Sequence, residues 1–181
     1  MRGGHAAPRS WSPSRPGRLK AVTAWGSAGQ EGTFELGTDG PTAILAGVDG
    51  STTSLRAGAY AAGLARRQRA RLVAVYVEPV ASMTPAVPGA AAALAVARGE
   101  ASAQIAGDLG RQAEELARER GINITFGAAR GDPFAEICRI ADEIRADALV
   151  VGASAKAGHR LVGSLAIRLV RAGRWPVTVV P

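Results

Sequence analysis

The run VVGASAKAGHRLVGSL (150–165) gathers the residues of this chain best suited to holding an anion. Gly152 allows backbone to come close to a ligand. Gly163 and Ser164 open an apolar-periodic stretch, so they stand at a helix N-terminus, where amides and the helix dipole favour negative charge. Lys156, His159 and Arg160 supply cations within the same loop that could be aimed at a phosphate. The same residues also make an ordinary strand-to-helix turn, with Ser164 as a cap, Gly152 and Gly158 as turn residues and the three cations as a solvated basic surface. Spacing leaves both readings open.

More specific chemistries fail one at a time. No Gly-x-Gly occurs anywhere, which removes the dinucleotide fingerprint. GHRLVGS has the Gly158-to-Gly163 spacing of a Walker A loop but no lysine between Gly163 and Ser164. GASAK lacks the second glycine of a nucleophile elbow, and His159 is too close in sequence to Ser154 to serve as its base, so no hydrolase is implied. Two histidines and one cysteine cannot build a zinc cluster or an internal disulfide. Cys138 falls on an apolar helical stripe and reads as a packed side chain. A reducing, cytoplasmic compartment is expected. No apolar run reaches the roughly 18 residues that span a bilayer, so no membrane partner is expected. The net charge of +7 is thinly spread. Its densest cluster, Arg66, Arg67, Arg69 and Arg71, sits at an expected helix end, where cations favour the dipole. Nucleic acid is therefore not expected as a partner.

These residues need a scaffold, and the hydrophobic pattern describes one. With 181 residues, 47% of them hydrophobic, the chain suits one core. Residues 1–40 hold eight Gly and three Pro without helical or strand periodicity, and are expected to be a disordered extension. Their acid-free first 30 residues also resemble an organellar transit peptide, and a start nearer Val22 is a third reading. From residue 41 onward the pattern is that of a domain. TAILAGVD, RLVAVYV, DALVVGAS and PVTVVP read as buried strands, and GINITFGAA, alternating Ile122, Ile124 and Phe126, as one covered on one side. Between them lie helices. The first is capped by Ser51 or Thr52 and carries Ala57, Tyr60, Ala61, Leu64 and Ala65 on one face. A second ends near Arg120 with a stripe of Ile105, Leu109, Ala113 and Leu116. A third is capped by Asp132 with Pro133 at its first position and buries Phe134, Ile137, Cys138, Ala141 and Ile144. A last one ends at Gly173. EPVASMTPAVPGAAAALAV reads as a long connection. Five strands alternating with four helices imply an α/β fold, a parallel sheet with right-handed crossovers and helices on both faces. Ligands on such a sheet gather beyond the carboxyl ends of its strands, here Asp49–Ser51, Val77–Glu78, Arg130–Asp132 and Gly152–Ser164.

The succession ILAGVDGS, VAVYVEP, GDPFAEI, ADALVVGAS, GS before a helix and WPVTVVP resembles the universal stress protein (UspA) family over residues 42–181. The resemblance implies a Rossmann-like sheet in the order 3-2-1-4-5, a stress-associated role, a homodimer and, in one branch, bound ATP with magnesium. In that branch the phosphate loop reads Gly-x2-Gly-x9-Gly-Ser/Thr. Gly152 matches its first position, and Gly163 with Ser164 its last pair. Ala155 replaces the second glycine, and seven residues rather than nine separate it from Gly163. The site residues implied are Val48, Asp49, Val77, Val151, Gly152, Ala155, Gly163, Ser164 and Leu165. By this resemblance Asp49 would contact the adenosine, Val77 would border the base and Val151 would line the pocket. With no general base or arginine finger in evidence, a regulatory module rather than an enzyme is expected; a nucleotide-free dimeric interaction module of the same fold is the alternative. The uncharged edge strand in WPVTVVP would be protected by pairing residues 176–180 with a second copy.

Overall fold

The computed structural model describes residues 40–80, 90–153 and 164–181. Nine elements alternate: β1 (Ala43–Gly47), α1 (Thr52–Gln68), β2 (Arg71–Pro79), α2 (Ala90–Arg120), β3 (Ile124–Gly131), α3 (Pro133–Glu143), β4 (Ala148–Gly152), α4 (Ser164–Ala172) and β5 (Val177–Val180). The strands form one parallel sheet in the order β3-β2-β1-β4-β5. β1 therefore pairs with β2 on one side and β4 on the other, and Gly47 lies opposite both Val75 and Val151.

Local chemistry accounts for the boundaries. Ser51 is the N-cap of α1, its hydroxyl accepting from the Ser54 amide at 3.2 Å. α1 ends at Arg69, in the left-handed region at φ 56°. Asp132 caps α3 by accepting from the Ala135 amide at 3.0 Å, with Pro133 at the first position, where a missing N–H costs nothing. The guanidinium of Arg71 donates to the Ile144 carbonyl, tying the start of β2 to the end of α3. Asp147 does similar work before β4, accepting from the Thr42 amide at 2.7 Å and the Ala43 amide at 2.9 Å.

Side chains alternate across the pleat. Leu45, Val73, Val75, Leu149 and Val151 face α3 and α4 and pack with Ile137, Ile140, Ala141, Ile144 and Leu169 in one continuous core. The opposite face is divided. Ile44, Ala46, Leu72 and Val150 pack under Ala57, Ala61, Ala62 and Ala65 of α1, whereas Val48, Ala74 and Tyr76 pack under Ala106 and Leu109 of α2.

Three expectations need correction. Residues 90–96 belong to α2 rather than to a connection: the alanine-rich run has high helix propensity and extends the helix. Tyr60 does not join the buried face of α1 and is 45% exposed, because that face centres on Ser54, Ala57, Ala61, Ala62 and Ala65, small residues that bring the helix close to the sheet. Ile105 is likewise 38% exposed, since α2 turns Ser102, Ala106 and Leu109 inward. The Tyr76 and Ser102 hydroxyls meet at 3.0 Å, a buried polar pair that holds this rotation.

Candidate functional site

The strand order reverses between β1 and β4, so the crevice for a ligand lies beyond Gly47 and Gly152, where connections depart in opposite directions. Three described segments meet there. Val48 and Asp49 leave β1, the Val48 amide still donating to the Val75 carbonyl at 2.9 Å. The first turn of α1 forms one wall. Gly152 and Ala153 close the other side, with the Ala153 amide donating to the Val180 carbonyl at 2.7 Å.

Asp49 is held by the turn that starts α1. Its carboxylate accepts from the Ser51 amide at 2.9 Å, and its own amide donates to the Ser54 hydroxyl at 3.1 Å. Ser54, only 4% exposed, in turn donates its hydroxyl hydrogen bond to the Ser51 carbonyl at 3.0 Å. Sequence reasoning missed Ser54; its place three residues after the capping Ser51 in DGSTTS was the available signal. The first turn of α1 carries no acidic side chain, so the positive end of the helix dipole reaches the crevice without opposition from its own helix.

Gly152 has an architectural reason to be glycine. A Cβ there would fall 2.6 Å from the Thr53 carbonyl carbon and 2.7 Å from the Ser54 amide nitrogen. Backbone cannot yield as a flexible side chain can, so the first turn of α1 already occupies the space that a side chain would take.

The remaining site residues divide into groups. Val48 turns toward the α2 side, packed with Ala74, Tyr76, Ala106 and Leu109. Val77 and Val151 are buried in the core beneath α3 and α4, with Leu165 packed against its edge. Ser164 is the first residue of α4. Ala155 and Gly163 lie outside the described residues, as do Lys156, His159 and Arg160. The structure thus brings Asp49 and Gly152 to one crevice and places Val77 one layer below the carboxyl edge of the neighbouring β2.

On the far side of the sheet, Asp132 joins two elements. Both of its oxygens lie 3.1 Å from Arg168 of α4, whose guanidinium stacks 4.3 Å from the Phe134 ring. The Arg168 hydrogen bond, then the Ala135 amide, holds the Asp132 carboxyl below the usual carboxylate range. Cys138 is half-buried, and desolvation pushes its thiol up, as suits a packing residue rather than a nucleophile. Among the described residues no helix is long and apolar enough to cross a membrane, and no three His, Cys, Asp or Glu side chains are grouped to hold a metal.

A parallel sheet in this order, with a crevice at its reversal point and a helix N-terminus facing it, defines a Rossmann-like α/β domain. Residues 42–181 match the universal stress protein family. The chain is 30% identical over 143 residues to Universal stress protein MJ0531 of Methanocaldococcus jannaschii, covering 76% of this chain and 80% of that protein. Universal stress protein UspA from Lactobacillus plantarum superposes with a TM-score of 0.68 at 28% identity, over 77% of this chain and 97% of that one. A universal stress protein in complex with cAMP superposes with a TM-score of 0.59, also at 28% identity, over 78% of this chain and 97% of that one. The chain belongs to the universal stress protein family.

Proposed function

We propose that this protein binds an adenine nucleotide, with ATP as the first candidate, at the crevice between β1 and β4, and acts as a stress-associated regulatory module rather than as an enzyme. The observation that carries the reading is the crevice itself: the reversal point of the sheet, Asp49 held in a fixed turn, and the positive end of α1, whose first turn carries no acidic side chain, meet at one place. A similar universal stress protein in complex with cAMP lends it support. Asp49 would hold the adenosine, and Gly163 with the N-terminus of α4 would receive phosphate. Asp49 is the carboxylate held at this crevice, so a magnesium ion would arrive with the phosphates and be held chiefly by them. The protein would work as a homodimer through residues 176–180. Among the described residues β5 pairs only with β4 and leaves one edge open to a second copy, in a compartment we take to be the cytoplasm.

A nucleotide-free dimeric interaction module is favoured by one specific observation. Gly152 is required by the close approach of α1, so its presence does not depend on a ligand. Ala155 at the second glycine position points the same way.

Calorimetric titration of Mg-ATP into the full chain, with Gly163→Val alongside, separates the two. Micromolar binding that disappears in Gly163→Val supports the nucleotide reading. A folded dimer that takes up no ATP overturns it in favour of the interaction module.

A further inference from the structure

α1 and α2 lie on the same face of the sheet but stand apart, and the gap between them is a groove of about 430 Å³. Leu72, Ala74, Ile124 and Phe126 form its floor. Its walls are cut from small residues, Gly58 and Ala59 on α1 and Ala113 on α2. Leu55, at 39% exposure, borders its upper end, and Glu115 and Glu119 line the α2 side, both exposed. Neither glutamate is paired with a cation among the described residues. An apolar floor beneath an acidic rim suits a ligand that is apolar on one side and cationic on the other.

The chain carries such a segment close by. Gly40 arrives against the Gln68 side chain at the end of α1, and the Arg71 amide donates to the Thr42 carbonyl, so the polypeptide enters the fold beside Leu72. That is the end of the groove lined by Leu72, Leu116, Glu119 and Ile124. Upstream, RLKAVTAW (18–25) interleaves Arg18 and Lys20 with Leu19, Val22 and Trp25, and the first 30 residues contain no acid at all. Residues 26–39 separate it from Gly40 with four glycines. Fourteen residues of such composition span about 20 Å on average, and α1 from Leu55 to Gln68 is about 20 Å long. A tether matched to the distance gives an effective concentration on the order of millimolar, so weak contacts suffice.

We propose that residues 18–25 of this chain dock in the groove between α1 and α2, with Trp25 over Ala74 and Ala113 and with Arg18 and Lys20 facing Glu115 and Glu119. The segment cannot bury a core by itself; the groove supplies the other half of one. Docking would join α1 to α2 across the divided face, and α1 carries the wall of the candidate ligand crevice at its opposite end.

The test uses the full chain with Trp11→Phe and Trp175→Phe, which leaves Trp25 as the sole tryptophan. The expected result is a blue-shifted emission at every protein concentration, and acrylamide quenching severalfold weaker than in urea. Ala113→Arg and, separately, the surface pair Glu115→Lys with Glu119→Lys should restore free quenching while the circular dichroism stays native. Because the glutamates are exposed, the second variant remains informative if Ala113→Arg fails to fold. Emission and quenching equal to those in urea overturn the proposal. So does protection that survives the charge reversal, which places Trp25 elsewhere, or protection that fades on dilution, which assigns the occupant to a second copy.

Discussion

The two faces of the sheet are built on different plans. Beneath α3 and α4 one continuous core includes Leu45, Val75, Ile140, Leu149, Val151 and Leu169, with partly buried Phe134 and Trp175 at its edge. Beneath α1 and α2 the core is split in two, and an open groove runs between the helices. The difference follows from side-chain size. α1 meets the sheet through Ala57, Ala61, Ala62 and Ala65, which bring its axis close over β1 and β4 but reach little to either side. α3 and α4 use Ile137, Ile140 and Leu169, which reach across and interlock. Tight packing is thus placed where the sheet reverses, and looseness one strand away.

This contrast can be broken by truncating one residue on each face. Leu169→Ala removes a side chain that is 0% exposed and should cost about 3 kcal/mol. Leu116→Ala trims a half-buried wall of the groove and should cost about 1 kcal/mol. Urea denaturation of both variants checks the gap; equal losses would mean that the open face is packed as tightly as the closed one.

A pair of glycines sharpens the comparison further. Gly152→Ala should destabilise by about 2 kcal/mol, because its Cβ meets α1 backbone at 2.6 Å. The same substitution at Gly99, in the helical stretch of α2 with nothing within 4 Å, should stabilise by about 0.5 to 1 kcal/mol by relieving backbone entropy. Thermal melts with shifts of the same sign would refute the close approach of α1 at the crevice.

The smallest effect expected is one of pH. The carboxyl of Asp132 titrates lower in the fold than in the unfolded chain, so its contribution is fully present above the ordinary carboxylate pKa of about 4 and is lost as pH falls below it. The pair with Arg168 is exposed, so the change is modest. Asp132→Asn should keep a capping side chain yet flatten the loss of stability between neutral pH and pH 3. An acid limb identical to that of the unaltered chain would show that the closed face draws nothing from this contact.

How much of this was legible in the sequence differs from element to element. The unbroken apolar run ILAGV and the caps Ser51 and Asp132 are local, because a strand buried on both faces and a helix start each depend on a few neighbouring residues. The inward face of α2 was misread at Ile105, since a helical stripe is only as narrow as its partner surface, and that surface includes the Tyr76 hydroxyl, far away in sequence. Of the candidate site, Asp49 and Gly152 were legible as residues at strand ends, whereas Ser54 was not, because its importance arises only when the turn folds back on Asp49.

By itself, then, the sequence determined the order of strands and helices, their caps and the family pattern, all of which rest on contacts within a few residues or on simple periodicity. Only the tertiary structure decided that the backbone of α1 fills the space at Gly152, that Tyr60 and Ile105 face outward, and that a groove separates α1 from α2. Those outcomes depend on how closely one element approaches another, and that distance is set jointly by side chains from segments remote in the chain.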